Sequence, residues 1–336
     1  MFTKLFYSVA VLATVTSCSK HVATETVHPN ESSIIGFRNL SDRVMPTTKA
    51  TTTNKSNYLV FSEYSSAADG WYIDGMSVTA NGETFDDPAE ANYWPDPELD
   101  FYAYAPTTRT EASITEKNYD DENCSVAVTD PTDSNQGNVV ITYTVPDAAD
   151  EDFLVADPLR DQTKSSASGI VNYVFNHMLS NVHISVRCED ANYNVSWGNI
   201  TLAGNKVNSG TVDITTTDPA IYVRTSTSVP DLTYTSTAPT TTAKFMIMPQ
   251  VTQGFTVTVN NVIATRKLDH KVVDYGNLTY TFIVDDTNVK DFESGKLYNL
   301  YFTVAKADDQ IKFESTVEDW VVNKSSGTEL QDVPNP

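Results

Sequence analysis

The sequence predicts an all-β protein built from antiparallel sandwiches, and three observations carry that prediction. Aromatic and β-branched residues recur throughout, with 17 Tyr and 14 Phe among 336 residues, and these side chains suit a pleated, half-buried surface. Apolar residues return at a two-residue period in short runs, most clearly at Val139, Ile141, Tyr143 and Val145, whereas no stretch combines helix formers, length and 3.6-residue spacing. Gly, Pro, Asp and Asn turn signals separate these runs at intervals of about ten residues, the rhythm of sandwiches. No fixed short repeat of the solenoid or propeller kind occurs.

Taken in order, residues 1–17 read as a signal peptide. Lys4 supplies the positive start, Leu5 to Val15 the apolar run, and Val15-Thr16-Ser17 the small residues before Cys18. The run is too short to span a bilayer. Its ending resembles a bacterial lipobox, which implies cleavage before Cys18 and diacylglycerol on its thiol, an anchor that needs no transmembrane helix. Residues 18–33 are polar, carry Pro29 and read as a tether. Ile34-Ile35-Gly36-Phe37 then stands alone as a short apolar strand. Behind it, Arg43, Pro46 and the Thr-rich stretch through Asn57 predict an exposed loop.

Strand-like pieces follow at Tyr58 to Tyr64, Trp71 to Asp74, Leu99 to Ala105 and Val139 to Val145. Between Asp161 and Gly169 apolar periodicity lapses, which places a boundary there: one sandwich domain over residues 34–165 and a second over 166–336. The second half repeats the pattern at Val182-Ile184-Val186, Ile200-Leu202, Ile221-Val223, Phe245 to Met248, Phe255-Val257-Val259, Leu278 to Val284 and Leu297 to Val304.

The formal charge is −22, and −23 once the segment holding Lys4 is removed, which disfavours nucleic acid and anionic membrane surfaces as partners. With Cys18 committed to lipid, only Cys124 and Cys188 remain for a disulfide, and no metal-binding cysteine framework is encoded. His21, His28, His177, His183 and His270 show no ligand spacing, and His177 reads as packed beside an aromatic. There is no nucleophile elbow and no phosphate-cradling glycine loop. Acidic clusters at Asp86-Asp87, Glu98 to Asp100, Asp120 to Glu122 and Asp150 to Asp152 lack the calcium-loop pattern and read as solvated loop charge. Tyr93-Trp94-Pro95 suits either a core or a sugar-stacking surface. No catalytic residue, cofactor or metal site is predicted.

Several segments, in order, resemble the fimbrillins, the subunits of type V pili of Bacteroides-type bacteria. They are YWPDPELDFYAYAP (Tyr93 to Pro106), DFLVADP (Asp152 to Pro158), VNYVFNHMLSNVHISV (Val171 to Val186), NITLAGNKVNSGTVDI (Asn199 to Ile214), FMIMPQ (Phe245 to Gln250), GKLYNLYFTV (Gly295 to Val304) and TVEDW (Thr316 to Trp320). The resemblance implies two tandem transthyretin-like antiparallel β-sandwich domains and a location at the outer membrane and in surface fimbriae. It also implies a mechanism. A trypsin-like protease cuts the exported lipoprotein after Lys49 or Arg43, the strand holding Ile34, Ile35 and Phe37 leaves, and a donor strand from another fimbrillin subunit replaces it. The tail 321–336, with Val321, Val322 and Leu330, is the candidate donor, and the product is a head-to-tail polymer serving adhesion. The competing reading is a lipid-anchored surface module that binds a glycan or protein and does not polymerise.

Overall fold

The computed structural model describes residues 34–39, 57–66, 68–78, 80–81, 84–85, 92–105, 119–121, 123–146, 152–204, 207–223, 231–235, 242–251, 254–282, 291–304 and 311–319. Among them there is no α-helix; strands joined by turns account for the fold.

A first sandwich is formed by two sheets. One runs in the order Phe175–His177, Leu154–Ala156, Leu99–Ala105, Tyr58–Tyr64, Ile73–Val78, with Leu159–Gln162 also paired to Leu99–Ala105. The other runs Tyr222–Val223, Ser209–Asp213, Asn138–Thr144, Cys124–Thr129. Between them Leu59, Phe61, Tyr102 and Tyr104 meet Val139, Ile141, Tyr143 and Val212. The strand Asn138–Thr144 alternates in burial as its sequence pattern predicts. Leu99–Ala105 is buried at all seven positions, because its sheet is covered on both faces. The second cover is a two-stranded ribbon, Gly36–Asn39 beside Ile170–Tyr173, packed on Tyr58, Val60, Phe101 and Ala103.

A second sandwich pairs the sheet Thr242–Ile247, Ser180–Cys188, Lys296–Val304, Ile311–Asp319 with a sheet of Tyr193–Ser196, Thr256–Arg266, Asn199–Ala203 and Leu232–Thr235, in which Val272–Thr281 also pairs with Thr256–Arg266. Val182, Ile184, Leu300 and Phe302 face Ile200, Leu202, Val257 and Val259 across its core. Two ladders depart from the antiparallel expectation: Gly36–Asn39 with Ile170–Tyr173, and Ser180–Cys188 with Lys296–Val304, are both parallel. Parallel neighbours need long connections, so side-chain alternation, which is the same in both senses, cannot reveal them.

The pairing also crosses residue 165. Ile170–Tyr173, Phe175–His177 and Ser209–Asp213 come after it and pair with Gly36–Asn39, Leu154–Ala156 and Asn138–Thr144 respectively, all before it.

Two acidic clusters read as solvated are partly interior. Asp100 and Asp152 are buried. Asp100 accepts hydrogen bonds from Arg160 at 2.6 Å and from the Asp161 backbone N–H at 2.9 Å. Nearby, buried Glu63 accepts from the Tyr102 hydroxyl at 2.7 Å and from the Gly137 N–H at 2.6 Å. Asp152 is bonded to buried His177, a partner the sequence reading did not name for that histidine. Each carboxyl finds donors there, and the offset is partial: burial still raises the pKa of Glu63 and of Asp152 against the hydrogen bonds that lower it. Cys124 and Cys188 do not form a disulfide; both are buried, in different sheets.

Candidate functional site: the seat of the first strand

Of the residues singled out for processing and assembly, Ile34, Ile35 and Phe37 lie among the described residues. Cys18, Arg43, Lys49, Val321, Val322 and Leu330 lie outside them.

The seat of the first strand is built from three segments. On one side Gly36–Asn39 runs parallel to Ile170–Tyr173, in the register Gly36 to Ile170 through Asn39 to Tyr173. On the other, Ile34 bridges to Tyr93 and the Ile35 N–H donates to the Asn92 carbonyl at 2.8 Å. The floor is the sheet face bearing Tyr58, Val60, Phe101 and Ala103. Period-two geometry sends Ile35 and Phe37 to that floor, while the Arg38 side chain, on the opposite face of the same strand, is exposed. Ile35 is 1% exposed and Phe37 8%. Burying two such side chains contributes about 1.5–3 kcal/mol each.

A turn at the end of the seat completes the site. The Ala167 N–H donates to the Thr163 carbonyl at 3.0 Å and the Gly169 N–H to the Lys164 carbonyl at 2.9 Å. Gly169 adopts φ +79°, a left-handed conformation that glycine accepts at little cost. Its carbonyl then accepts the Gly36 N–H at 3.0 Å and the Trp94 Nε1–H at 3.3 Å. Trp94 is buried, edge-on to Phe101 at 5.7 Å, so it belongs to the core and not to a sugar-stacking surface. Burial holds the Tyr173 phenol well above its ordinary pKa, with Tyr58 adding to the shift, so that ring stays neutral.

Sequence reasoning placed Gly169 at a domain boundary and did not single out Ile170–Tyr173 as a strand. Their signal was present, an Ile-Val-Asn-Tyr run directly after a glycine, yet four residues are too few for periodicity to carry weight.

Comparison with known proteins bears on the family and the fold. A family model described as fimbrillin-like matches residues 43–320. The chain is similar in fold to the crystal structure of a candidate cell-adhesion protein from Bacteroides uniformis, at 17% identity and TM-score 0.53, covering 86% of this chain and 99% of that one. It is similar also to a fimbrial protein from Bacteroides vulgatus, at 15% identity and TM-score 0.52, covering 86% of this chain and 100% of that one. No curated protein matches. The family model spans most of the chain, both sandwiches included, and the chain therefore belongs to the fimbrillin-like family.

Proposed function

We propose that the protein is a structural subunit of a type V pilus that polymerises by exchanging its first strand. The observation that supports this most is the seat itself. Among the described residues Gly36–Asn39 is paired along one side, to Ile170–Tyr173, and it covers the sheet face that bears Tyr58, Val60, Phe101 and Ala103. Removing it leaves unpaired backbone groups beside exposed Tyr58, Val60 and Phe101, a surface that favours capture of another extended strand.

In this reading Cys18 carries the lipid that delivers the precursor to the outer membrane, and a trypsin-like protease separates lipid and strand from the folded body. Arg38 is protected because its backbone is held in the ladder opposite Asn172. A protease needs extended, unpaired chain, so the cut falls further on, after Lys49 or Arg43. The strand that enters comes from another subunit, with the tail holding Val321, Val322 and Leu330 as donor. One subunit's tail in the next one's seat makes a heterologous contact that does not close, which is the geometry of a filament.

Digestion of the purified mature chain with trypsin tests the reading. A ladder of species on native gels, with new N-termini at Ala50 or Val44 by mass spectrometry, is the expected result. Clean cutting at either site with the protein still monomeric at high concentration would overturn it.

A further inference from the structure

We infer that Trp94 is a positioning residue for strand exchange: its indole N–H keeps the Gly169 carbonyl aimed into the seat after the first strand has left. The inference rests on the strand-exchange reading above.

The Gly169 carbonyl accepts two donors, the Gly36 N–H at 3.0 Å and the Trp94 Nε1–H at 3.3 Å. They come from different parts of the seat. Gly36 belongs to the strand that leaves, whereas Trp94 follows Asn92 and Tyr93, the wall that holds Ile35 and Ile34. Gly169 opens the opposite wall, Ile170–Tyr173. The indole bond therefore ties wall to wall without using the strand between them.

That matters once the strand is gone. A buried carbonyl with no donor is costly, and the peptide lowers that cost by turning toward water. Gly169 is poorly equipped to resist such a turn, since it has no side chain and a Cβ built on it would meet no heavy atom within 4 Å. Trp94 supplies the restraint. It is itself fixed, buried edge-on against Phe101 of the central strand, and the Tyr72 hydroxyl donates to the neighbouring Tyr93 carbonyl. The acceptor is thus preset for the N–H of an incoming strand at the place of Gly36.

Substitution Trp94→Phe keeps a ring against Phe101 and removes the donor. In the uncut chain Gly36 still serves the carbonyl, so the thermal midpoint should move little. After trypsin cutting and protease inhibition, a fluorescent peptide of residues 31–42 should bind about tenfold more weakly than to the cut wild type, the equivalent of one hydrogen bond. A merely structural role for Trp94 would instead lower the midpoint of the uncut chain and leave peptide affinity of the surviving folded protein unchanged, which would overturn the inference. So would equal affinity at equal midpoint. A cut wild type that refuses the peptide would instead overturn strand exchange itself, and this inference with it. A second measurement does not require the variant to fold. In cut wild type freed of its strand, the Ile170 amide stays bonded to the Ala167 carbonyl; the Trp94 indole N–H should exchange with solvent at least tenfold more slowly than those backbone amides of Val171–Tyr173 that lose a ladder partner. Exchange as fast as theirs would count decisively against the inference.

Discussion

The ring of Phe37 lies parallel to that of Tyr173, with centroids 6.4 Å apart and 3° between the planes. The two residues sit on neighbouring strands of the covering ribbon, and Phe37 also meets Phe101 edge-on at 6.3 Å on the sheet beneath. One side chain thus joins the first strand both to its ladder partner and to the floor of its seat.

Truncating that side chain should loosen the strand. Phe37→Ala is expected to cost about 3 kcal/mol in denaturant unfolding of the intact chain, the usual range for a buried aromatic. Backbone amide exchange over Gly36–Asn39 should rise in parallel. A loss below about 1 kcal/mol would show that the seat does not hold the strand through Phe37.

The polar network at the edge of the first core predicts an asymmetric response. Arg160→Met removes the only cation that donates to buried Asp100 among the described residues and leaves it the neutral donors Asp161 N–H, Ser65 and Gln136, so a loss of about 2–3 kcal/mol is expected, the range for a hydrogen bond to a charged group. Tyr102→Phe should cost only about 1–2 kcal/mol, because Glu63 keeps the Gly137 N–H. Urea melts of the two variants compare the costs directly.

His183 gives the second sandwich a pH dependence. Burial, reinforced by Lys244 on the adjacent strand, lowers its pKa from 6.5 to about 4. A histidine with a depressed folded pKa contributes stability that is present above the unfolded value and is lost as pH falls toward the folded one. Stability should therefore fall between about pH 6.5 and pH 4, by at most about 3 kcal/mol. Denaturant titrations at pH 7.0, 5.5 and 4.5 should show the slope, and His183→Gln should flatten it.

Two glycines separate backbone freedom from space. Gly169→Ala places a side chain at φ +79° in open surroundings, so its cost is conformational, about 1–2 kcal/mol. At Gly137 a Cβ would come within 2.4 Å of the Trp71 ring and 2.9 Å of Pro131. Gly137→Ala should therefore cost more than Gly169→Ala, through displacement of Trp71 from the core. Thermal melts of the two variants test the order.

Much of the fold was legible in the chain. Val139, Ile141 and Tyr143 announced their buried face through simple alternation, and Ile34, Ile35 and Phe37 stood out because polar segments flank them. Asp100 and Asp152 were not legible as interior, and Trp94 was left open between core and surface. Each is interior beside a partner tens of residues away, Arg160, His177 or Gly169, that brings a donor or acceptor to it. Composition records a charge and is silent about its partner.

What the sequence by itself determined was local: an all-β chain, the faces of its longer strands, an isolated apolar run after a polar segment, and no pattern of helix or metal ligands. The tertiary structure decided what lies next to what. It set Gly36–Asn39 parallel to Ile170–Tyr173 across more than a hundred residues of chain, carried Ser209–Asp213 back to Asn138–Thr144, and joined Trp94 to Gly169. The physical reason is that side-chain periodicity is a property of one strand. Pairing, by contrast, depends on how burial of several strands together offsets the entropy of closing long loops.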